Sequence, residues 1–180
     1  DDHLAATDDD PVDVAKLAGT LLCVPVVNVE GMILQTRDTP DGRDLNRLFP
    51  GKATGNQAQR IAHALFDHVI RRSDFLIHLH TAPPTRMNVP HVRADFDRPE
   101  CKALGRAFGT ELVLHSNGVL GTLRREAAEA GVAAILMESG TSHRFEPSTI
   151  RVGVRGILNV MAHIGMLEGK PLPPAWRLLV

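Results

Sequence analysis

The sequence predicts an α/β fold in which a mixed, mostly parallel sheet is flanked by helices. Three apolar runs have the length of buried strands, at residues 21–27, 75–77 and 132–137. Between these runs lie segments in which apolar residues recur at helical spacing. Strands that alternate with helices along a chain are typical of α/β domains.

The first elements follow an acidic opening. A short helical piece is predicted at residues 12–17 and leads into the first strand, residues 21–27, where Cys23 is expected to be buried. A helix is predicted over residues 56–72, with Thr54 or Asn56 as its cap. Its apolar stripe consists of Ile61, Leu65, Phe66, Val69 and Ile70.

Three further helices and one further strand are predicted in the second half of the sequence. Further helices are predicted at residues 100–108, 122–130 and 148–166, and a further strand at residues 111–115. Pro99 precedes one of these helices and Gly109 follows it, while Gly131 stops the next. Gly153 and Gly156 reduce helix propensity in the last helix and predict close packing against the sheet.

Composition restricts the function classes. The 180 residues, 43% of them hydrophobic, can bury one substantial core. With 20 basic and 21 acidic residues the formal charge is -1, and aromatics amount to 4%. This balance favours neither nucleic acid nor an anionic membrane as partner, and no apolar stretch reaches the ~20 residues of a bilayer span. The sequence is compatible with a homo-oligomer.

The cysteines indicate a reducing compartment. Cys23 and Cys101 lack the paired spacing of a metal site, so free thiols are expected. With no signal peptide in the sequence, a cytoplasmic location is predicted.

Two histidines end one of the predicted strands. Side chains alternate along a strand, so His78 and His80 should share a face. Two imidazoles at a strand end could bind zinc, or each could be a hydrogen-bonded core residue. Arg86, Asn88, His91 and Arg93 follow in a predicted proline-rich loop, where they either line a pocket or are solvated.

A carboxylate follows another predicted strand. Glu138 comes directly after the apolar run 132–137. Ligands of open α/β sheets bind at the carboxyl ends of strands, where a carboxylate can act as general base. Alternatively, Glu138 caps the next loop or pairs with Arg144.

A polar loop carries two arginines. Arg37 precedes a turn signal at residues 40–42, and Asp44, Asn46 and Arg47 follow that signal. The turn is expected to fold the guanidinium groups toward one site, where they could bind a carboxylate or a polarised carbonyl. The alternative is a solvated loop with a helix-capping asparagine.

Taken in order and spacing, these motifs resemble the succinylglutamate desuccinylase/aspartoacylase family. The motifs are Val24-Pro25-Val26-Val27-Asn28, Arg37, residues 41–51 around Asp44-Leu45-Asn46-Arg47, Leu79-His80-Thr81, Gly121-Thr122-Leu123-Arg124 and Glu138-Ser139-Gly140. The resemblance implies a zinc carboxypeptidase-like fold, a zinc cofactor, and hydrolysis of the amide bond of an N-acyl amino acid or similar small carboxylate-bearing amide.

The resemblance also implies roles for individual residues. His80 is similar to a zinc ligand, and Glu138 to the catalytic glutamate that transfers the proton. Arg37 is similar to the arginine that polarises the scissile carbonyl. The implied substrate-binding residues are Asn46, Arg47 and Arg124, the last of which holds a substrate carboxylate.

Two departures from the family pattern leave other functions open. The family's first two zinc ligands come from a Gly-x-His-Gly-x-Glu motif upstream of the Val-Pro-x-x-Asn segment, and no such motif precedes Val24 here. In addition, His78 stands where the family usually has aspartate. The alternatives are a non-catalytic small-carboxylate-binding protein with a degraded metal centre, and a zinc carboxypeptidase acting on peptides. We expect residues 1–170 to form a catalytic domain without its N-terminal metal motif. Residues 171–180 should then be a linker and the start of a truncated β-rich domain.

Overall fold

The structure is a computed structural model that describes residues 12–175 and 177–180. The acidic opening at residues 1–11 and Trp176 lie outside these ranges. The helices are α1 (Val29–Ile33), α2 (Gln57–His68), α3 (Pro99–Phe108), α4 (Leu123–Glu129) and α5 (Pro147–His163), and the strands are β1 (Phe75–His80), β2 (Asn88–Ala94), β3 (Leu112–His115), β4 (Ala133–Gly140) and β5 (Leu178–Leu179). No helix in the described ranges has the length and apolarity needed to cross a membrane.

The strands form one sheet in the order β1-β4-β2-β3-β5. Strand β3 pairs in parallel with β2 and β5, whereas β2 and β4 are antiparallel. Ala133 N donates to Asp74 O and Ala82 N to Gly140 O, so β1 and β4 advance in the same direction. The predicted mixed, mostly parallel sheet flanked by helices is confirmed.

The chain divides into two compact units. The first unit contains the described residues up to Leu21 together with residues 77–116 and those described from 135 onward. The second unit contains residues 22–76 and 117–134.

In the first unit, α3 packs on one face of the sheet. A Cβ added at Gly105 would lie 3.0 Å from Ala94 and 3.3 Å from Val113. A Cβ at Gly156 of α5 would lie 2.1 Å from the Phe108 ring of α3. The predicted packing of this glycine against the sheet is therefore wrong, because the ring of α3 occupies that place.

The core of the second unit forms around α2, whose start the sequence predicted. Asn56 Oδ1 accepts from Gln59 N at 2.9 Å, and Gln59 Oε1 accepts from Asn56 N at 3.2 Å. This capping box satisfies two backbone donors at the helix start. The buried cluster comprises Leu45, Phe49, Ala58, Ala62, Phe66, Ile70, Leu123, Ala127, Val132 and Ala134.

Two predicted elements near the start of the described chain differ from the structure. Residues 21–27 form no strand, and Cys23 is exposed rather than buried. An apolar run becomes a strand only where a neighbour pairs with its backbone, and the described strands give this run no such partner. The helical piece at 12–17 is a single 3-10 turn, Val14–Lys16.

Candidate active site

Neighbouring strands β1 and β4 bring together a histidine and a carboxylate from distant parts of the sequence. His80 ends β1, and Glu138 lies two residues before the end of β4. His80 Nδ1 is 3.8 Å from Glu138 Oε1. The pairing of these strands thus brings the two side chains into contact.

His78 extends this contact along the same face of β1. Its Nε2 lies 3.0 Å from Nε2 of His80, and the two rings meet edge to face with centroids 4.2 Å apart. One of these two facing nitrogens donates and the other accepts, so the contact orients the His80 ring.

Glu138 is buried but ionised. It is 9% exposed, and its Oε2 accepts a hydrogen bond from Asn88 Nδ2 at 2.8 Å. Burial, the largest influence, opposes ionisation. The nearby charge of His80, with that of Arg93, outweighs it and holds the pKa of Glu138 below its ordinary value. A carboxylate in this state can accept a proton at neutral pH.

Strand β2 supplies residues that sequence reasoning assigned to a loop. His91 lies opposite Glu138 in the antiparallel register. Its Nδ1 is 2.8 Å from Val89 O, which can only accept, so Nδ1 carries the proton. Arg93 Nε donates to the other ring nitrogen at 3.3 Å. The predicted loop is wrong here; the alternation of polar His91 and Arg93 with Val92 and Ala94 was a signal for a strand.

In the second unit, the two arginines of the polar loop meet at one carboxylate. Arg37 Nε donates to Asp44 Oδ2 at 3.1 Å, and Arg47 Nη1 lies 3.8 Å from the same oxygen. Gly42 N bonds to Thr39 O, and an isolated bridge joins Asp38 to Asp44. The predicted turn is confirmed. The arginine side chains remain 54% and 48% exposed.

Asn46 is anchored to the start of α4. Its Oδ1 accepts from Leu123 N at 2.8 Å, so this oxygen caps a helix, as the alternative interpretation of the loop expected. Arg124 follows Leu123 and is 4% exposed. A Cβ at Gly118, whose φ is +81°, would lie 2.9 Å from Arg124 Nη2, so the guanidinium abuts that backbone.

The predicted site residues thus fall into two groups. His80 and Glu138 belong to the first unit, whereas Arg37, Asn46, Arg47 and Arg124 belong to the second. The catalytic, metal-binding and substrate-binding roles expected for them stay predictions.

The described residues do not fit a complete zinc site. A catalytic zinc has three protein ligands and an open position. Within residues 12–175 and 177–180, no group of three or more His, Cys, Asp or Glu side chains is arranged to hold a metal ion. Moreover, Nε2 of His80 contacts His78. Further ligands would have to come from outside the described residues.

Comparison with protein families gives one match over most of the chain. The family model for the succinylglutamate desuccinylase/aspartoacylase catalytic domain matches residues 9–164. An N-alpha-acetyl-L-2,4-diaminobutyric acid deacetylase of Halomonas elongata is 28% identical over 163 residues, which cover 84% of this chain and 47% of the relative.

Solved structures show a similar fold. A succinylglutamate desuccinylase/aspartoacylase from Rhodobacter sphaeroides matches with a TM-score of 0.75 and 32% identity, over 82% of this chain and 45% of that one. The product-bound ectoine utilization protein EutE (DoeB) from Ruegeria pomeroyi matches with a TM-score of 0.83 and 23% identity. This match covers 92% of this chain and 53% of that one. The chain therefore spans about half the length of these proteins.

Proposed function

Because the chain belongs to the succinylglutamate desuccinylase/aspartoacylase family, we propose that it hydrolyses the amide bond of an N-acyl amino acid, or of a similar small amide that carries a carboxylate. The observation that carries this proposal is the buried, ionised carboxylate of Glu138 beside His80. Deacetylation by the relative from Halomonas elongata is consistent with the same type of reaction.

Glu138 is proposed as the general base. It would take a proton from the water whose oxygen attacks the carbonyl carbon, and then give that proton to the nitrogen as the carbon–nitrogen bond breaks. The products are a carboxylic acid and an amine. The lowered pKa keeps Glu138 deprotonated before the attack, as this role requires.

Residues of the second unit are proposed to recognise the substrate. Arg47 would hold a carboxylate, while Arg37 would polarise the scissile carbonyl. The side-chain oxygen of Asn46 already caps α4, so its Nδ2 would serve as the donor to the substrate. Arg124 is proposed to hold a substrate carboxylate, and its burial beside Gly118 fixes the direction of its guanidinium.

Zinc dependence is part of the proposal and rests on the family. When bound, zinc would polarise the carbonyl and activate water, and His80 would be one of its ligands. Since the described residues do not complete a zinc site, the proton transfers above are assigned to Glu138 alone.

The incomplete ligand set favours a second candidate function. A family member that cannot hold its metal could still bind a small carboxylate through Arg37 and Arg47, whose side chains are about half exposed. Such a protein would bind N-acyl amino acids without cleaving them.

One experiment separates these candidates. The purified chain is incubated with N-acetyl and N-succinyl amino acids, with added zinc and with a chelator, and the released amine is measured alongside binding by calorimetry. Zinc-dependent release would support the hydrolase, whereas binding without release would support the carboxylate-binding protein. Release that survives the chelator would contradict the zinc dependence.

Variants of the same chain test the assigned roles. Glu138→Ala should abolish release without loss of the fold, and the exposed Glu111→Gln provides a matched control. Arg47→Lys should lower kcat/KM because the bidentate fork is lost. Unchanged turnover in Glu138→Ala would reject the general base, and an unchanged kcat/KM in Arg47→Lys would reject that contact.

A further inference from the structure

The pairing of β2 with β4 contains a bulge beside Glu138. His91 lies opposite Glu138, and Asn88 lies opposite Gly140. Three steps along β2 therefore match two steps along β4, which leaves one extra residue in β2. Bulges of this kind redirect side chains and are frequent next to active sites.

The extra residue determines where the Asn88 side chain points. In a regular ladder residue 89 would lie opposite Gly140, and Asn88 would face away from Glu138, because neighbouring side chains alternate. With the bulge, Asn88 lies on the face of Glu138. Its Nδ2 donates to Glu138 Oε2 at 2.8 Å.

The bulge is held from both strands. On β2, Val89 O accepts the Nδ1 proton of His91 at 2.8 Å, and Pro90 has no amide hydrogen that would need a partner in the ladder. On β4, Gly140 has a φ of +69°, and an added Cβ would lie 2.6 Å from Thr149 Oγ1. The Val89–His91 contact thus stabilises the bulged backbone of β2, and the close approach of Thr149 leaves room only for glycine at position 140.

We infer that Asn88 is a positioning residue that orients the carboxylate of Glu138 for proton transfer. Asn88 fixes Oε2, while Oε1 points to His80 at 3.8 Å. Asn88 itself would touch neither the substrate nor the attacking water. The inference rests on the proposed function, since it assigns Asn88 a role only if Glu138 is the general base.

The expected effect is on turnover rather than on substrate binding. Without Asn88 the carboxylate can rotate away from its productive geometry, and misplacement of a catalytic group by about 1 Å can cost up to about 100-fold in rate. Asn88→Ala should therefore lower kcat about 10-fold to 100-fold and leave KM within about twofold. Asn88→Asp keeps the size but replaces the donor by an acceptor, so kcat should fall at least as far.

The experiment measures kcat and KM for wild type, Asn88→Ala, Asn88→Asp, Glu138→Gln and the double variant Asn88→Ala/Glu138→Gln. The exposed Met87→Ala, which changes the residue before Asn88, serves as the control, and circular dichroism verifies the fold of each. Since Asn88 acts through Glu138, the double variant should be no slower than Glu138→Gln alone.

The outcomes distinguish the two proposals. Failure of wild type to turn over N-acyl amino acids, or full activity in Glu138→Gln, would overturn the proposed function and the inference with it. Loss of activity in Glu138→Gln together with an unchanged kcat in Asn88→Ala would overturn the inference alone, as would a raised KM at unchanged kcat. Should Asn88→Ala fail to fold, the kcat of Asn88→Asp is compared with that of wild type. An unchanged kcat would then overturn the inference.

Discussion

Replacing Asn159 should destabilise the first unit, because this residue joins α5 to two other segments. Asn159 is completely buried. Its Nδ2 donates to Phe108 O at 3.2 Å and to Leu172 O at 3.1 Å, and its Oδ1 accepts from Leu172 N at 2.8 Å. One side chain thereby holds both the end of α3 and the chain that follows α5.

The size of the effect follows from these three hydrogen bonds. Asn159→Ala would leave two carbonyls and one amide without their partner. A hydrogen bond contributes about 1 kcal/mol net, and a buried group left unpaired costs about 1–3 kcal/mol. Leu172 is only half-buried and can regain water, so we expect a total loss of about 2–4 kcal/mol.

Urea unfolding followed by circular dichroism measures this loss. Arg155→Ala on the exposed side of the same helix serves as the control, because alanine is also a good helix former. Asn159→Asp keeps the oxygen but loses both donations and adds a buried charge, so it should be at least as unstable. A difference below about 0.5 kcal/mol between Asn159→Ala and Arg155→Ala would refute the argument, because changes of that size are ordinary for exposed positions.

Three further predictions concern packing, capping and pH. Gly156→Ala should lower the free energy of unfolding by about 1–3 kcal/mol, because the new methyl would overlap the Phe108 ring at 2.1 Å. An unchanged free energy in urea unfolding would show that α3 and α5 can move apart without cost. Asn56→Ala should cost about 1 kcal/mol while Thr54→Ala costs little, and equal costs in the same assay would contradict the capping box. The pKa of Glu138 is lowered by folding from the ordinary value of 4.5. Its ionisation therefore contributes stability above this value, and that contribution is lost as the pH falls through the folded pKa. Wild type should lose more unfolding free energy than Glu138→Gln between about pH 6 and pH 3, and equal losses would contradict the pKa shift.

The sequence predicted elements whose signals are local. The helix α3 begins at Pro99 and is followed by Gly109 with a φ of +90°, as the sequence indicated. Strand β4 is buried at every position, which explains its continuous apolar run. Such elements depend on burial and on backbone preferences, and both can be predicted from residues that are close in the sequence.

Elements that depend on a distant partner were predicted less well. Residues 21–27 have strand-like composition but no neighbouring strand in the described sheet, so they stay irregular. Strand β2 was missed because Pro90 and its polar neighbours indicated a loop, whereas pairing with β3 and β4 makes it the centre of the sheet. A bulge accommodates the proline, and a bulge cannot be read from residue types alone.

The α/β class, the family and the residues on which the proposed amide hydrolysis depends could be predicted from motifs and periodicity, because these are properties of the chain alone. Three contacts are visible only in the folded chain: His80 meets Glu138, Asn88 donates to the same carboxylate, and Asp44 pairs with Arg37 and Arg47. These contacts depend on strand order, register and turn geometry, which arise from pairing between segments far apart in the chain.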